Sequence, residues 1–522
     1  MIKPDGRLTD ALDPDDQPPR DHCGVFGAWS PHEDVAKLAY YGLYALQHRG
    51  QESAGIAVSD GKRIVVYKDM GLVPQVFDES VLTTLRGYIT VGHCRYSTSG
   101  ASTWENAQPT FRATPTASLA LGHNGNLINT LELAALAGER ATTGAGRSPA
   151  PSATSDTDVL TALFAAPPGV PDGLLPQETL PGMPEDVDPS ISPISPGSVE
   201  QAALATLPLV RGAYSLVFMD ERTLYAARDP QGFRPLVIGR LDRGWVVASE
   251  TAALDIVGAA FVREVEPGEL IAIDERGLRS RTFAAPQQKG CLFEHVYLAR
   301  PDTTLSGRSV QATRVEVGRR LAVEHPAEAD LVIPVPESGT PAAIGYAQAS
   351  GIPYGQGLVK NSYVGRTFIQ PSQTIRQRGI RLKLNPLREV IAGQRVVAVD
   401  DTIVRGNTQR AIVAMLREAG AAEVHVRISS PPVAWPCFFG IDFASRAELI
   451  AGSLSIEEIR VSIGADSLGF VSLEGLVAAT TLPGGQLCQA CFSGDYPVQV
   501  AEAEKGKFVL EAAAASGGAG GR

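Results

Sequence analysis

The stretch RVVAVDDTIVRGNTQRAI, residues 395–412, decides the fold of the second half of the chain. An apolar strand over 395–399 delivers Asp400 and Asp401 to its carboxyl end, where open α/β sheets place their ligands. Thr402 to Thr408 then supply hydroxyls, a glycine and an asparagine before a helix begins. Backbone N–H groups at such a turn, with a helix N-terminus behind them, form an anion site. Two adjacent carboxylates beside a phosphate cradle can accept hydrogen bonds from a sugar diol, directly or through Mg²⁺. The competing reading is an exposed loop whose acids cap the helix. It explains less, because strand, paired acids, glycine turn and helix occur together in order. Neither GxxxxGK[ST] nor a GxGxxG after this strand is present, which excludes a Walker loop and a dinucleotide fingerprint.

Outward from this stretch, the sequence after about residue 290 alternates short apolar strands with helices. DLVIPVPESG (330–339) is followed by AAIGYAQASG (342–351), and QRVVAVDD (394–401) by TQRAIVAMLREAG (408–420). That alternation predicts a parallel sheet. The first half reads differently: GVFGAW (24–29), KRIVVYK (62–68), VGHCRYST (91–98), SLALGHNGNL (118–127), GAYSLVFMD (212–220), TLYAARDP (223–230), PLVIGRL (235–241) and GWVVASE (244–250) are short strands separated by turns. VAKLAYYGLYALQHRG (35–50) predicts a helix with an aromatic-rich apolar face and a glycine at its end. Residues 167–197 hold nine Pro, five acids and no base, predicting a mobile surface insertion.

At 522 residues the chain is long enough for two or three domains. Its net charge of −11 argues against broad nucleic-acid binding, and no apolar run approaches membrane-spanning length. Without an export signal, the six cysteines at 23, 94, 291, 437, 488 and 491 point to metal binding or catalysis rather than a disulfide framework. Twenty-two residues precede Cys23, with six Asp, four Pro and no apolar periodicity, so they cannot offset their ordering entropy. Two readings of Cys23 follow. It is a buried thiol at the start of a strand, or a nucleophile exposed when residues 1–22 are removed. In the second case its own α-amino group, of unperturbed pKa about 7.7–8.0, serves as general base.

VVAVDDTIVRGNT resembles the phosphoribosylpyrophosphate (PRPP) motif of type I phosphoribosyltransferases. VIPVPESGTPAAIGYA (332–347) resembles their pyrophosphate loop, and KNSYVGRTFIQPSQTIRQRGIRLKLNPL (360–387) a basic loop that closes over pyrophosphate. CGVFG, GHCRYSTSG, LGHNGNL and SDTDV resemble the N-terminal-nucleophile glutamine amidotransferases. From Cys23 to about residue 495, the insertion aside, the chain is similar to the amidophosphoribosyltransferase family, in its branch with a propeptide and an iron–sulfur cluster.

The resemblance implies an α+β glutaminase domain of layered antiparallel sheets (23–262) after a propeptide (1–22), then an α/β phosphoribosyltransferase domain (263–497) and a flexible tail (498–522). It implies that ammonia released from glutamine at Cys23 displaces pyrophosphate from PRPP to form 5-phosphoribosylamine, the first step of purine (IMP) synthesis. Asn124 and Gly125 would form the oxyanion hole, Arg95 would grip the glutamine α-carboxylate, and Asp156 its α-ammonium. Cys94, where the family more often has an apolar residue, reads as buried filler. Asp400, Asp401, Thr402, Arg405, Gly406, Asn407, Thr408, Lys360 and Arg366 would bind PRPP, with Ser338 joining the two acids at one Mg²⁺ per subunit. Cys291, Cys437, Cys488 and Cys491 would hold one [4Fe–4S] cluster, whereas their spacing alone does not separate iron from zinc. Purine nucleotides as feedback inhibitors, a homotetramer, an internal ammonia channel and a cytoplasmic location are implied likewise; nucleic acid and membrane partners are not. Two alternatives are another glutamine amidotransferase sharing the first half, and a regulator that kept the phosphoribosyltransferase fold without catalysis.

Overall fold

The structure is a computed structural model that describes residues 23–96, 101–113, 118–143, 155–165, 198–361, 384–442, 446–501 and 510. The expected propeptide, the 167–197 insertion, most of the 360–387 loop and most of the tail lie outside these residues. Two compact units are present. One runs to Gly290 and takes in Phe438–Asp442; the other comprises Cys291–Cys437 and Phe443–Tyr496.

The first unit is built on two antiparallel sheets. Its strands are β1 (Gly24–Trp29), β2 (Ser53–Ser59), β3 (Ile64–Met70), β4 (Ile89–Arg95), β5 (Thr110–Ala113), β6 (Ser118–Leu127), β7 (Gly212–Met219), β8 (Leu224–Arg228), β9 (Val237–Leu241), β10 (Gly244–Ala248), β11 (Ala260–Glu264), β12 (Glu269–Asp274) and β13 (Gly277–Thr282). The seven-stranded sheet has the order β11-β9-β10-β1-β4-β2-β3 and the six-stranded sheet β13-β12-β8-β7-β6-β5. Side chains alternate between faces along each strand. Val25 of β1 meets Val217 of β7 in the core between the sheets. Phe26 faces the other way, onto the helix Val35–Ala45. In the second sheet Leu216 and Phe218 turn toward the helices Asp156–Ala165 and Val199–Thr206. The result is a helix–sheet–sheet–helix stack with a dry core in the middle.

Two expectations are corrected. The first unit extends to Gly290 rather than ending at 262, because β12 pairs with β8 and β13 with β12, completing the second sheet. The helix expected over 35–50 stops at Ala45, and of its three tyrosines only Tyr40 packs against the core. It buries Val35, Ala36, Ala39, Gly42 and Leu43, while Tyr41 and Tyr44 are exposed. Gly42 lies against Phe26, and a Cβ there would sit 2.2 Å from the ring, so this position accepts only glycine.

The second unit contains the expected parallel sheet: β14 (Leu331–Pro334), β15 (Arg395–Asp400), β16 (Glu423–Ile428) and β17 (Ser467–Phe470), in that order. Helices Thr340–Ser350 and Asn407–Glu418 follow β14 and β15, as the sequence texture predicts. Ile412, Val413 and Leu416 of the latter pack onto Val396, Ala398 and Val426 of the sheet.

Phe218 stacks on Tyr225 with centroids 4.9 Å apart and lies 5.2 Å from Phe164. Phe218→Ala should lower the stability of this unit by about 3–5 kcal/mol. A chemical-denaturation midpoint unchanged from the parent would show that these rings do not form one packed layer.

Candidate active sites

Cys23 stands immediately before β1. Its Sγ donates to the Tyr96 carbonyl at 3.3 Å, and the Tyr96 N–H lies 3.5 Å from the same sulfur. Burial pushes the thiol up to about 11, offset only in part by the Tyr96 hydrogen bond and the Arg95 charge. With residues 1–22 attached it therefore keeps its proton at neutral pH.

Cys23, Arg95, Gly125 and Asp156 line one cleft, together with Tyr96, Gln108, His123, Ser155 and Thr157. The fully buried Arg95 lies 3.6 Å (Nη1) from Glu52 Oε2 and donates to the Ala101 carbonyl at 3.3 Å. Asp156 opens the helix Asp156–Ala165. It accepts from Thr157 N at 2.8 Å and Leu127 N at 3.2 Å, with His123 Nδ1 3.7 Å away. Burial opposes its charged form, but His123 and the backbone donors outweigh burial and hold the carboxyl below its usual range.

Gly125 has φ +156°, and a Cβ there would sit 1.9 Å from the Ala213 carbonyl oxygen. Only glycine fits. Next to it, the Asn124 carboxamide is completely buried, and neither its nitrogen nor its oxygen has a hydrogen-bond partner among the described residues. A buried polar group left unpaired costs about 1–3 kcal/mol, a cost removed when a ligand supplies the partner. Cys94 is fully buried, its thiol directed at the carbonyls of Leu46 (3.3 Å) and Gly24 (3.7 Å), which suits a filler.

Sequence reasoning missed His123, Gln108 and Thr157. Gln108 accepts from His123 N at 2.7 Å and donates to Thr157 Oγ1 at 2.9 Å, tying three cleft residues together. The signal was present, since His123 sits inside the quoted LGHNGNL and Thr157 inside SDTDV.

In the second unit Asp400 and Asp401 stand at the carboxyl end of β15. Ser338 Oγ (2.7 Å) and Thr402 Oγ1 (2.8 Å) both donate to the Asp401 carboxylate, while Gln409 Nε2 donates to Asp400. Burial first, then the neighbouring Asp401 charge, raises the Asp400 carboxyl well above its usual range. Gly406 adopts φ +80° as the cap residue of the helix Asn407–Glu418, so the N–H groups of its first turn open onto this loop. Arg405 is already engaged by Glu448 at 2.6 Å, a partner not foreseen from the sequence. Lys360 reaches Glu337, the neighbour of Ser338, at 3.3 Å. Arg366 lies outside the described residues.

None of the six cysteines is disulfide-bonded. Gly290–Cys291 forms a short strand paired with Leu487–Cys488. The Cys491 carbonyl accepts from Ala434 N and Trp435 N, close in sequence to Cys437. Burial raises the Cys491 thiol strongly, and Cys291, Cys437 and Cys488 raise it further, so the four sense one another electrostatically. Yet among the described residues no group of three or more His, Cys, Asp or Glu side chains is gathered as a metal site. The donor set, four thiols, is of the soft kind that suits zinc or an iron–sulfur cluster.

Residues 314–429 match the phosphoribosyl transferase domain family and residues 196–255 the glutamine amidotransferase domain family. With the folds described, these define the class: a glutamine amidotransferase joined to a phosphoribosyltransferase. An amidophosphoribosyltransferase of Mycobacterium tuberculosis is 63% identical over 500 residues, covering 94% of this chain and 90% of the relative. That of Bacillus subtilis is 45% identical over 487 residues, covering 92% and 95%. Two solved structures are similar at 44% identity. The "allosteric regulatory enzyme of purine biosynthesis" has a TM-score of 0.82 and covers 94% of this chain and 99% of its own. The glutamine PRPP amidotransferase of B. subtilis, complexed with ADP and GMP, has a TM-score of 0.80 and covers 92% and 98%. This chain belongs to the amidophosphoribosyltransferase family. It is an enzyme that is both a pentosyltransferase and a glutamine amidotransferase.

In the chain with residues 1–22 attached, alkylation of Cys23 by iodoacetamide should rise about tenfold per pH unit between pH 7 and 10, because the thiolate fraction grows until the thiol titrates near 11. Peptide mass spectrometry reads this directly. A rate already flat above pH 8 would mean the sulfur is ionised within the cleft.

Proposed function

We propose that glutamine is split at Cys23 and that the ammonia displaces pyrophosphate from PRPP at the Asp400–Thr408 loop, giving 5-phosphoribosylamine. This is the family's reaction, the first step of purine biosynthesis. The observation that carries the residue assignments is the convergence of a buried thiol, Arg95, Gly125 and Asp156 in one cleft, beside an Asn124 carboxamide that has no partner among the described residues.

Removal of residues 1–22 gives Cys23 an α-amine whose unperturbed pKa, about 7.7–8.0, suits it to take the thiol proton near neutral pH. The sulfur bonds to the amide carbon, and Asn124 Nδ2 and the Gly125 N–H stabilise the oxyanion. As the C–N bond breaks, the proton held on the α-amine passes to the leaving nitrogen and ammonia departs. Water then cleaves the thioester, releasing glutamate and restoring the thiol. Arg95 binds the substrate α-carboxylate and Asp156 its α-ammonium.

In the second unit Asp400 and Asp401 accept from the ribose diol. Thr402, Asn407, Thr408 and the N–H groups after Gly406 hold the 5′-phosphate, while Arg405 is shared between that phosphate and Glu448. Lys360 and Arg366 would add positive charge to PRPP binding. Two adjacent, largely buried carboxylates with a hydroxyl at 2.7 Å fit a hard cation. Asp400, Asp401 and Ser338 would hold one Mg²⁺, which when bound neutralises pyrophosphate charge. Cys291, Cys437, Cys488 and Cys491 would hold one [4Fe–4S] cluster in a structural or regulatory role. The reading extends to a cytoplasmic homotetramer inhibited by purine nucleotides; the ADP and GMP complexed with the B. subtilis relative support the nucleotide-binding part of it. Among the described residues no helix is long and apolar enough to cross a membrane.

Cys23→Ser should lower glutamine-dependent turnover by about 10³-fold or more while ammonia-dependent turnover stays within about twofold. Equal loss of both would refute the two-site assignment. The active protein should begin at Cys23 by N-terminal sequencing, and an active chain still beginning at Met1 would remove the α-amine from the mechanism. Anaerobically purified protein should be brown and carry iron; a colourless, zinc-loaded sample would overturn the cluster.

A further inference from the structure

We infer that Lys68 and Trp104 are positioning residues for glutamine, clasping the 101–108 segment to the edge strand β3 and so holding Arg95 and Gln108 in place. β3 is the last strand of its sheet, with β2 on one side only. The segment between β4 and β5 is fastened to it at three points, all from one residue pair. The Trp104 indole N–H donates to the Lys68 carbonyl at 3.0 Å. Lys68 Nζ donates back to the Ala107 carbonyl. The same ammonium lies 5.1 Å from the centroid of the Trp104 ring, a cation–π distance.

The fastened segment meets the glutaminase cleft at both ends. At one end the Ala101 carbonyl accepts from Arg95 Nη1 at 3.3 Å and from Asn106 Nδ2 at 3.0 Å. At the other end Gln108 follows Ala107 directly and is hydrogen-bonded to His123 and Thr157 beside Cys23. Lys68 and Trp104 themselves do not line the cleft. Burial lowers the Lys68 ammonium to about 8, with Asp158 and Glu105 attracting it and Arg95 repelling it. A cation is thus kept half-buried close to another cation, an arrangement sustained by the Ala107 carbonyl and the indole face. A lysine on an edge strand is also a common device against strand pairing, but that role asks neither for a ring beneath the ammonium nor for a carbonyl at its tip.

The inference rests on Arg95 as the α-carboxylate partner, and the experiment separates the two. Glutamine KM and kcat are measured alongside ammonia-dependent turnover for K68M, K68R, W104A, W104F and R95Q. Lys68→Met and Trp104→Ala should each raise the glutamine KM about tenfold, with kcat and ammonia-dependent turnover within about twofold. Lys68→Arg, which keeps the charge and a donor, should restore KM to within about twofold; Trp104→Phe, which keeps the ring and loses the N–H, should fall between. Trp104 is 52% exposed, so its truncation removes no core and serves should K68M misfold. A glutamine KM within twofold of the parent in W104A and in folded K68M overturns the clasp. If R95Q raises KM in that same set, the α-carboxylate reading survives the loss of the clasp. If R95Q also leaves KM unchanged, both fall.

Discussion

The pairing of β1 with β4 governs the glutaminase site. Their antiparallel register sets Gly24 opposite Cys94, so that the residue before Gly24 meets the end of β4, where Arg95 and Tyr96 follow. A Cβ at position 24 would lie 2.7 Å from the Cys94 sulfur and 2.9 Å from the Leu46 Cβ. The close approach that brings Cys23 to the Tyr96 carbonyl is therefore possible only with glycine after the cysteine. Because side chains alternate with a period of two, a one-residue slip in this pair would turn Val25 out of the inter-sheet core and carry Cys23 away from Arg95 together. The hydrophobic core and the catalytic geometry are held by the same register.

A comparable close approach organises the second unit. A Cβ on Gly339 would meet the Val399 carbonyl oxygen at 2.3 Å, so the loop after β14 lies directly against the end of β15. That contact brings Ser338 to Asp401 from a strand end some sixty residues earlier in the chain. In a parallel sheet all strand ends of one polarity share an edge, and acids placed at one end gather with hydroxyls from the next. Neither site needs a long-range coincidence beyond the correct strand order.

These constraints explain what could be read in advance. The 395–412 stretch was legible because apolar strand, acids, glycine and helix are contiguous, so local chemistry and tertiary place coincide. That the first half is mostly strand was legible from its turn-bounded apolar runs, whereas the antiparallel layering came from the family resemblance. The boundary at 262 was misplaced because β12 and β13 join a sheet whose other strands lie far back in sequence, and edge pairing leaves no local mark. The tyrosines of the 35–45 helix misled because apolarity alone does not tell which face meets a sheet as close as Phe26 comes to Gly42. Lys68, Trp104, Gln108 and Glu448 were invisible for a common reason: each acts through a partner set by folding, a main-chain or side-chain atom of another strand, helix or loop.

Each site buries one ionisable group, Cys23 in the first and Asp400 in the second, whose charged form its surroundings disfavour. In the first unit burial keeps the Cys23 sulfur protonated, and the Asn124 amide has no partner among the described residues. In the second, burial and the adjacent Asp401 disfavour charge on Asp400, while Arg405 is held by Glu448. Electrostatic groups fixed in this way cost the fold stability but need little rearrangement when charge arrives with a substrate. The cost is carried by the packed sheets around them: the inter-sheet core in one unit and the helix-covered parallel sheet in the other. A softer scaffold would let these groups turn away from the positions that a substrate needs. Tight packing around Gly24, Gly125 and Gly339 thus fixes the groups of the two sites where a substrate would meet them.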